Sequence, residues 1–331
     1  MARRENQKKK LLTLIKIFIK NTDESHGISM SEIIESLESE GISAERKSIY
    51  DDILTLGELG YDIVTLPTRP TKYTLLNRPF TLAELKILVD SVEASKFVTR
   101  EQSREIIAKL REYAGKYHAH ELSREVYVEE RIKTENSLSL ENIDKIHRAI
   151  NENAKIAFRY FEYTKEKKPT YRHGGKRYVV SPEALLISDE NYYLVAYESE
   201  GGISKNFRVD KMTDIEVLSE KRDKRVIDTR FNPAEYSKRS FGMYGGKEEL
   251  VSLECRERLA GVIIDRFGKE ITFFPTDFGF RVTVRVILSP TFFAWVMGFG
   301  GDMRVLSPVS VRRELLLRLD EVKKCYEEAT E

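Results

Sequence analysis

The chain has 331 residues, 33% of them charged and 41% hydrophobic, a globular composition long enough for two or three domains. Its formal net charge is +1, so any contact with nucleic acid has to rest on positive charge clustered locally. No apolar run approaches the roughly 18 residues that span a bilayer, and the distant Cys255 and Cys325 argue against a disulfide scaffold or a zinc cage and suit a reducing cytoplasm.

The opening "MARRENQKKKLLTLIKIFIK" is basic and then apolar. Lys16 and Lys20 interrupt its apolar run and no small-residue cleavage site follows, which speaks against a signal peptide. Leu11, Leu12, Ile15, Phe18 and Ile19 recur at helical spacing and predict an amphipathic helix over about 8–20. A second helix is predicted in "ISMSEIIESLESEG", with Ser29 as N-cap, Glu32 completing a capping box and Gly41 as stop. A third is predicted in "SAERKSIYDDILTLGELG", capped by Ser43 and stopped by Gly60. "YDIVTL" and "KYTLL" flank the turn "PTRP" as a two-stranded ribbon. Three helices and a ribbon within residues 1–77 have the order of a winged helix-turn-helix.

In the third helix, Ile49, Ile53, Leu54, Leu56 and Leu59 are the predicted buried face. Glu45, Arg46, Lys47, Ser48 and Tyr50 occupy the first two turns on the more polar side. Those turns are where side chains reach base edges and phosphates. Arg69 and Lys72 sit at the ribbon tip, where a wing meets the backbone. Residues 1–20 add Arg3, Arg4, Lys8, Lys9, Lys10, Lys16 and Lys20 against Glu5 alone. The alternative is a small protein-interaction domain with a solvated charged face, which the acidic second helix (Glu32, Glu35, Glu38, Glu40) favours a little.

Residues 78–153 read as helical throughout, with Thr81 and Glu84 as a second capping box, and suit a linker or dimerisation region. His118 and His120 in "YHAH" are two apart and would point in different directions on a helix, so they read as helix surface rather than a metal pair. No Ser-His-Asp order and no paired-acid motif stands out. Gly174-Gly175-Lys176 lacks the spacing and the following Ser or Thr of a phosphate loop, and the Gly-rich stretch Gly298–Asp302 follows a helix candidate rather than a strand. The expectation is a protein that is not an enzyme and uses no metal and no cofactor.

Residues 154–220 switch to strand periodicity in five short segments, the pattern of a small barrel. Between 155 and 177, Lys155, Arg159, Lys165, Lys167, Lys168, Arg172, Lys176 and Arg177 outnumber Glu162 and Glu166. Tyr160, Phe161, Tyr163, Tyr171 and Tyr178 are interleaved with them. Such a surface holds phosphates and stacks bases, and it is equally what a solvated lysine loop looks like. Arg208 in "NFRVD" adds a planar fork for an anion. Residues 221–246 form a polar linker bearing glycines. Residues 247–331 alternate strand, helix, strand and two helices, with a hairpin turn at "TDFG" and Trp295 as core, a compact α+β unit. The whole is an α+β multidomain chain.

"VVSPEALLISDENYYLVAYE" followed by "KNFRVDKMTDIEVL" resembles the core of a WYL domain, the family named for a Trp-Tyr-Leu triplet that stands here as Tyr192-Tyr193-Leu194. "SAERKSIYDDILTLGELGYDI" resembles the recognition helix of the winged helix-turn-helix in such regulators, and "MRVLSPVSVRRELLLRLDEVKKCY" the end of their C-terminal extension domain. The resemblance implies a cytoplasmic bacterial transcription regulator, usually a homodimer, that binds a double-stranded operator. Its Sm-like small β-barrel would sense an anionic ligand, a single-stranded nucleic acid or a nucleotide. Matching positions are Tyr160, Tyr192, Tyr193 and Arg208, with Arg177 and Ser181 as further candidates. Alternate strand residues face opposite sides, so one tyrosine of the pair faces inward and Arg208 is the better single choice. The second reading is an accessory protein that binds RNA or single-stranded DNA mainly through the barrel.

Overall fold

The structure is a computed structural model describing residues 2–119, 122, 133–228 and 231–328, with side chains described from residue 7 and not at 228. The chain forms two compact units, Met1–Ser137 and Leu138–Glu331. Among the described residues no helix is long and apolar enough to cross a membrane.

The first unit runs α1 (Ala2–Asn21), β1 (Ile28–Ser29), α2 (Met30–Ser39), α3 (Arg46–Glu58), β2 (Ile63–Leu66), β3 (Lys72–Leu75), α4 (Leu82–Ala94) and α5 (Arg100–His118). Its core is Leu14, Phe18, Ile33, Leu37, Ile42, Ile49, Leu56 and Leu75, all essentially inaccessible. The expected ribbon gains a third strand. β3 pairs with β1 as well as β2, placing Ile28 opposite Tyr73. This approach is close enough that a Cβ on Gly27 would lie 2.8 Å from Lys72 Cβ, so glycine is required there.

Local chemistry sets the helix starts. The Ser29 hydroxyl accepts from the Glu32 amide, and the Glu32 carboxylate accepts from the Ser29 amide at 2.7 Å. Thr81 with Glu84 starts α4 in the same way, and Thr99 with Gln102 starts α5. The third helix departs from expectation at its start and along its face. Glu45 occupies the N-cap position with no side-chain cap, in place of Ser43. Ile49 and Leu56 are buried and Ile53 is half-buried, but Leu54 is 68% exposed and Leu59 64%. Positions 49, 53 and 56 follow one helical stripe; 54 and 59 fall outside it.

The second unit opens with α6 (Ser139–Asn151), whose Asn142 amide donates to the Met212 carbonyl at 2.9 Å. β4 (Ala154–Tyr163), β5 (Pro169–Tyr171), β6 (Tyr178–Ser188), β7 (Asn191–Glu198), β8 (Ile203–Arg208) and β9 (Met212–Lys221) follow. They form an antiparallel sheet in the order β5-β4-β6-β7-β8, and β9 returns to pair with β4, curling the sheet on itself. Inside it the fully buried Phe158 lies against the rings of Tyr178 and Phe207, with centroids 5.4 and 5.0 Å away.

Short helices α7 (Lys224–Asp228) and α8 (Pro233–Arg239) lead to the last segment: β10 (Glu248–Cys255), α9 (Ala260–Phe267), β11 (Phe274–Thr276), β12 (Gly279–Ile287), α10 (Pro290–Met297), β13 (Met303–Ser307) and α11 (Val309–Glu328). The strand β13 was not expected. It completes a four-stranded antiparallel sheet in the order β11-β12-β10-β13, the split βαβ arrangement, with Val251, Leu253, Val282, Val284 and Val286 facing a helical layer that carries Ile263, Phe292 and Val296. Trp295 packs on Phe241 and Phe267 at its margin.

Phe158→Ala should cost about 3–5 kcal/mol of stability, the usual range for emptying a buried ring. The check is the denaturant midpoint followed by circular dichroism; an unshifted midpoint would contradict this packing.

Candidate nucleic-acid interface and anion cleft

In the first unit, Glu45, Arg46 and Lys47 are exposed at the start of α3, and neither cation has a carboxylate partner among the described residues. One turn on, Tyr50 is 45% exposed and meets Tyr73 edge-on at 6.3 Å. Burial, helped by the Tyr50 hydroxyl, raises the Tyr73 pKa to about 12. Arg69 is exposed in the β2–β3 turn and Lys72 half-buried on β3. Ser48 stands apart from this set, because its hydroxyl accepts from the ammonium of Lys10. Lys10, only 5% exposed, also pairs with Asp52 at 2.6 Å. Lys10 is therefore the fastening between α1 and α3 rather than part of the basic surface. Lys8, Lys9, Lys16 and Lys20 remain exposed, Arg3 and Arg4 lie outside the described side chains, and His120 lies outside the described residues.

The candidates of the second unit fall into three separate places. Arg208 ends β8 opposite Tyr193. Its fork is taken: Nε and Nη2 donate to the Asp210 carboxylate at 3.0 and 2.8 Å, and Nη2 also donates to Asn191 Oδ1 at 2.9 Å. Burial works against its charge and the Asp210 hydrogen bonds work for it; the balance raises its pKa. Tyr160 is buried, its hydroxyl accepts from the Arg208 amide at 3.3 Å, and burial pushes its pKa up to about 12. Tyr193 packs with Leu186, Val195 and Met243, alongside Phe231 and Tyr236, and burial raises its pKa. Tyr192 points to the opposite side by strand alternation and is half-buried, while Leu194 is fully buried core.

Ser181 belongs to a second place. It is buried, donates to Asp223 Oδ2 at 2.7 Å and accepts from the Asp223 amide at 3.0 Å; Ser199 donates to the same carboxylate at 2.8 Å. These bonds, the Ser181 one foremost, lower the Asp223 pKa. The hydroxyl holds the strand β6 to the segment after β9.

The third place is an open cleft of about 500 Å³ lined by Lys155, His173, Lys176, Arg177, Tyr178 and Lys205, together with Glu198 and Glu200. Arg177 is the sequence candidate that lines it. Arg177 bonds Glu216 at 2.8 Å, Lys176 lies 3.7 Å from Glu200, and Lys205 pairs with Glu198. Lys155 lies 3.5 Å from Glu220. Arg177 also donates to the Ala157 and Asp214 carbonyls at 3.4 and 3.2 Å, while Lys176 and Glu200 are both largely exposed, and an exposed ion pair of that kind is worth only about 0–1 kcal/mol. The half-buried Arg208–Asp210 pair is harder to exchange. Sequence reasoning counted Lys155 and Lys176 within a basic run but could not see that His173 and Lys205 join them, because the folded sheet brings Lys205 of β8 and the β5–β6 connection beside Lys155 of β4.

The model of the WYL domain matches residues 141–217, and that of the WCX domain matches residues 247–322. The chain carries a WYL domain followed by a WCX domain. Among solved structures it is similar to proteasome accessory factor B/C (PafBC) of Arthrobacter aurescens, at 21% identity and a TM-score of 0.29, over 96% of this chain and 48% of that one. It thus spans about half the length of that protein. It is also similar to a CRISPR Cas-related protein, at 12% identity and a TM-score of 0.37, over 75% of this chain and 72% of that one. No curated protein matches.

The raised Tyr160 pKa has a pH consequence. The folded state holds this proton more tightly than the unfolded chain, whose phenol ionises near 10. Its contribution is complete below about pH 10 and is lost as pH rises toward about 12, a change of roughly 2–3 kcal/mol. Tyr160→Phe should flatten the alkaline limb of stability against pH; an unchanged slope would contradict the buried phenol.

Proposed function

We propose that the chain is a sequence-specific DNA-binding transcriptional regulator of the WYL class. In this reading the first unit is a winged helix-turn-helix with α3 as recognition helix and β2–β3 as wing. The observation that carries it is the set of exposed side chains at the start of α3: Arg46 and Lys47 without carboxylate partners among the described residues, and Tyr50 beside them. Arg46 and Lys47 would meet guanine edges and phosphates, with Glu45 and Tyr50 flanking and Arg69 and Lys72 on the adjacent backbone. Ser48 would act through Lys10 rather than on DNA. A homodimer would set two such helices about 34–36 Å apart on a palindromic operator.

The WYL barrel, read as Sm-like, would take the anionic effector in the cleft of Lys155, His173, Lys176, Arg177 and Lys205, a single-stranded nucleic acid or a nucleotide. Arg208, Tyr160 and Tyr193 would hold the end of the barrel together rather than grip the ligand. The effector would change operator affinity by a coupling of typically about 1–3 kcal/mol. No catalytic step and no cofactor enter this account, and the protein would work in the cytoplasm.

Fluorescence anisotropy against the chain's own promoter duplex, a random duplex and an oligothymidylate, at two salt concentrations, tests it. Promoter binding should persist at the higher salt, since counterion release alone fades steeply. Arg46→Ala with Lys47→Ala should weaken promoter binding tenfold or more, in line with the roughly 1–3 kcal/mol of a base-reading arginine. Arg177→Ala with Lys176→Ala should leave promoter binding intact and remove the response to oligothymidylate. Binding that is confined to the single strand would favour instead an accessory nucleic-acid-binding protein acting through the barrel.

A further inference from the structure

The first unit has an open cleft of its own, of about 440 Å³, where the loop after α1, the connection from β3 to α4 and the C-terminal half of α5 meet. Much of its lining is apolar: Leu76, Phe80, Leu82, Leu85 and Tyr113. Phe80 and Tyr113 meet edge to face at 5.7 Å, and Tyr113 keeps 40% of its surface exposed. The rest carries charge, from Asp23, Glu24 and Arg78, with the rings of His26 and His118 beside them. A concave, largely apolar cleft with a few placed polar groups is the usual form of a small-molecule site.

Most of the polar groups are already committed. The Asp23 carboxylate accepts from the Ser25 and His26 amides at 2.8 and 2.7 Å and bonds His26 Nδ1 at 2.9 Å, and it lies 3.4 Å from His118 Nε2. Burial opposes its charge, but the His26 ring and these amides outweigh burial and lower its pKa, so Asp23 stays an anion. Arg78 spends its guanidinium on backbone: it donates to the Tyr113 carbonyl at 3.1 Å, to the Ile19 carbonyl at 2.9 Å and to the Thr22 carbonyl, and its Nε is buried. The start of α4 is capped from within, because the Glu84 carboxylate takes the Thr81 amide at 2.8 Å and the Thr81 hydroxyl at 3.0 Å. An outside anion therefore finds its donors occupied. Glu24 differs: it is exposed and has no ion-pair partner among the described residues. Leaving the imidazoles aside, two carboxylates stand against one guanidinium in the lining, and this balance favours an entering cation.

We propose that this cleft binds a small organic ammonium ion carrying an aromatic ring, an arylalkylamine, with the ammonium on Glu24 and the ring against Leu82, Phe80 and Tyr113. The site uses neither the start of α3 nor the cleft of the second unit, and it stands whether or not the chain reads an operator. The carboxylate of Glu24 supplies a charge-assisted hydrogen bond, and the Tyr113 and Phe80 rings supply apolar contact. Asp23, held by its own loop and by the two imidazoles, adds negative field without giving up a bond.

Isothermal titration calorimetry of the full chain with 2-phenylethylamine tests it. Two probes run alongside: 3-phenylpropionate, which exchanges the ammonium for a carboxylate, and putrescine, which keeps ammonium groups but has no ring. The amine should bind one to one with a Kd of about 1 mM or tighter, the reach of so small a ligand, and the other two should bind about tenfold more weakly or less. Glu24→Gln should weaken the amine about tenfold, the effect of removing a charged hydrogen-bond partner. Tyr113→Ala should weaken it about threefold or more, while Tyr113→Phe, which keeps the ring, retains binding. Circular dichroism checks that each variant is folded. Glu35→Gln removes an exposed acid of α2 outside the lining and should leave binding unchanged. No binding of the amine to the folded chain overturns the proposal, as does unchanged affinity in Glu24→Gln. Equal binding of phenylpropionate or of putrescine overturns the assigned ligand class. Equal losses in Glu24→Gln and Glu35→Gln overturn the site, since the attraction would then be diffuse surface charge.

Discussion

A cation acts on an outside anion only to the extent that it is not already neutralised, and this pairing constraint sorts the many lysines and arginines of this chain. Lys10 is buried against Asp52 and Ser48, so it joins helices. Arg208 is held by Asp210 and Asn191, so it ties the end of β8 to the start of β7. Arg46 and Lys47 have no carboxylate partner among the described residues, and Arg256 and Arg281 lie over the rings of Phe278 and Phe274 instead of against a carboxylate. The net charge of +1 conceals this division.

The division also separates stability from function. Removing one member of a buried pair such as Lys10–Asp52 strands a charge in a poorly solvated place and is expensive. In the cleft of the second unit, the pair of Lys176 with Glu200 lies in water and contributes little. Under the proposed reading, an effector site built from weak pairs would accept a phosphate without a large desolvation cost. A site built on Arg208 would first have to break a bidentate, half-buried contact.

Much of the architecture was legible in the sequence because it is written in local chemistry. Ser29 with Glu32 and Thr81 with Glu84 are capping boxes in the sequence and in the structure. The five main strands of the curled sheet and the "TDFG" hairpin follow from alternation and turn residues. The short strands β1, β5 and β13 escaped, because two to five residues carry little periodicity and are defined by their partners. The site residues were harder for the same reason. Ser181 is claimed by Asp223, 42 positions later, and Lys10 by Asp52 and Ser48, about as far away. The capture of Arg208 did leave a sequence signal in "RVD", where an acid two residues after an arginine at a strand end lies within its reach.

The central claim is that duplex affinity resides in the unpaired cations at the start of α3, while the barrel's paired cations serve another ligand. Lysine acetylation footprinting of the full chain, read by mass spectrometry with and without saturating promoter duplex, tests this most directly. The account predicts strong protection of Lys47, with Lys155, Lys176 and Lys205 unchanged. Protection of those three barrel lysines with Lys47 still fully reactive would contradict it.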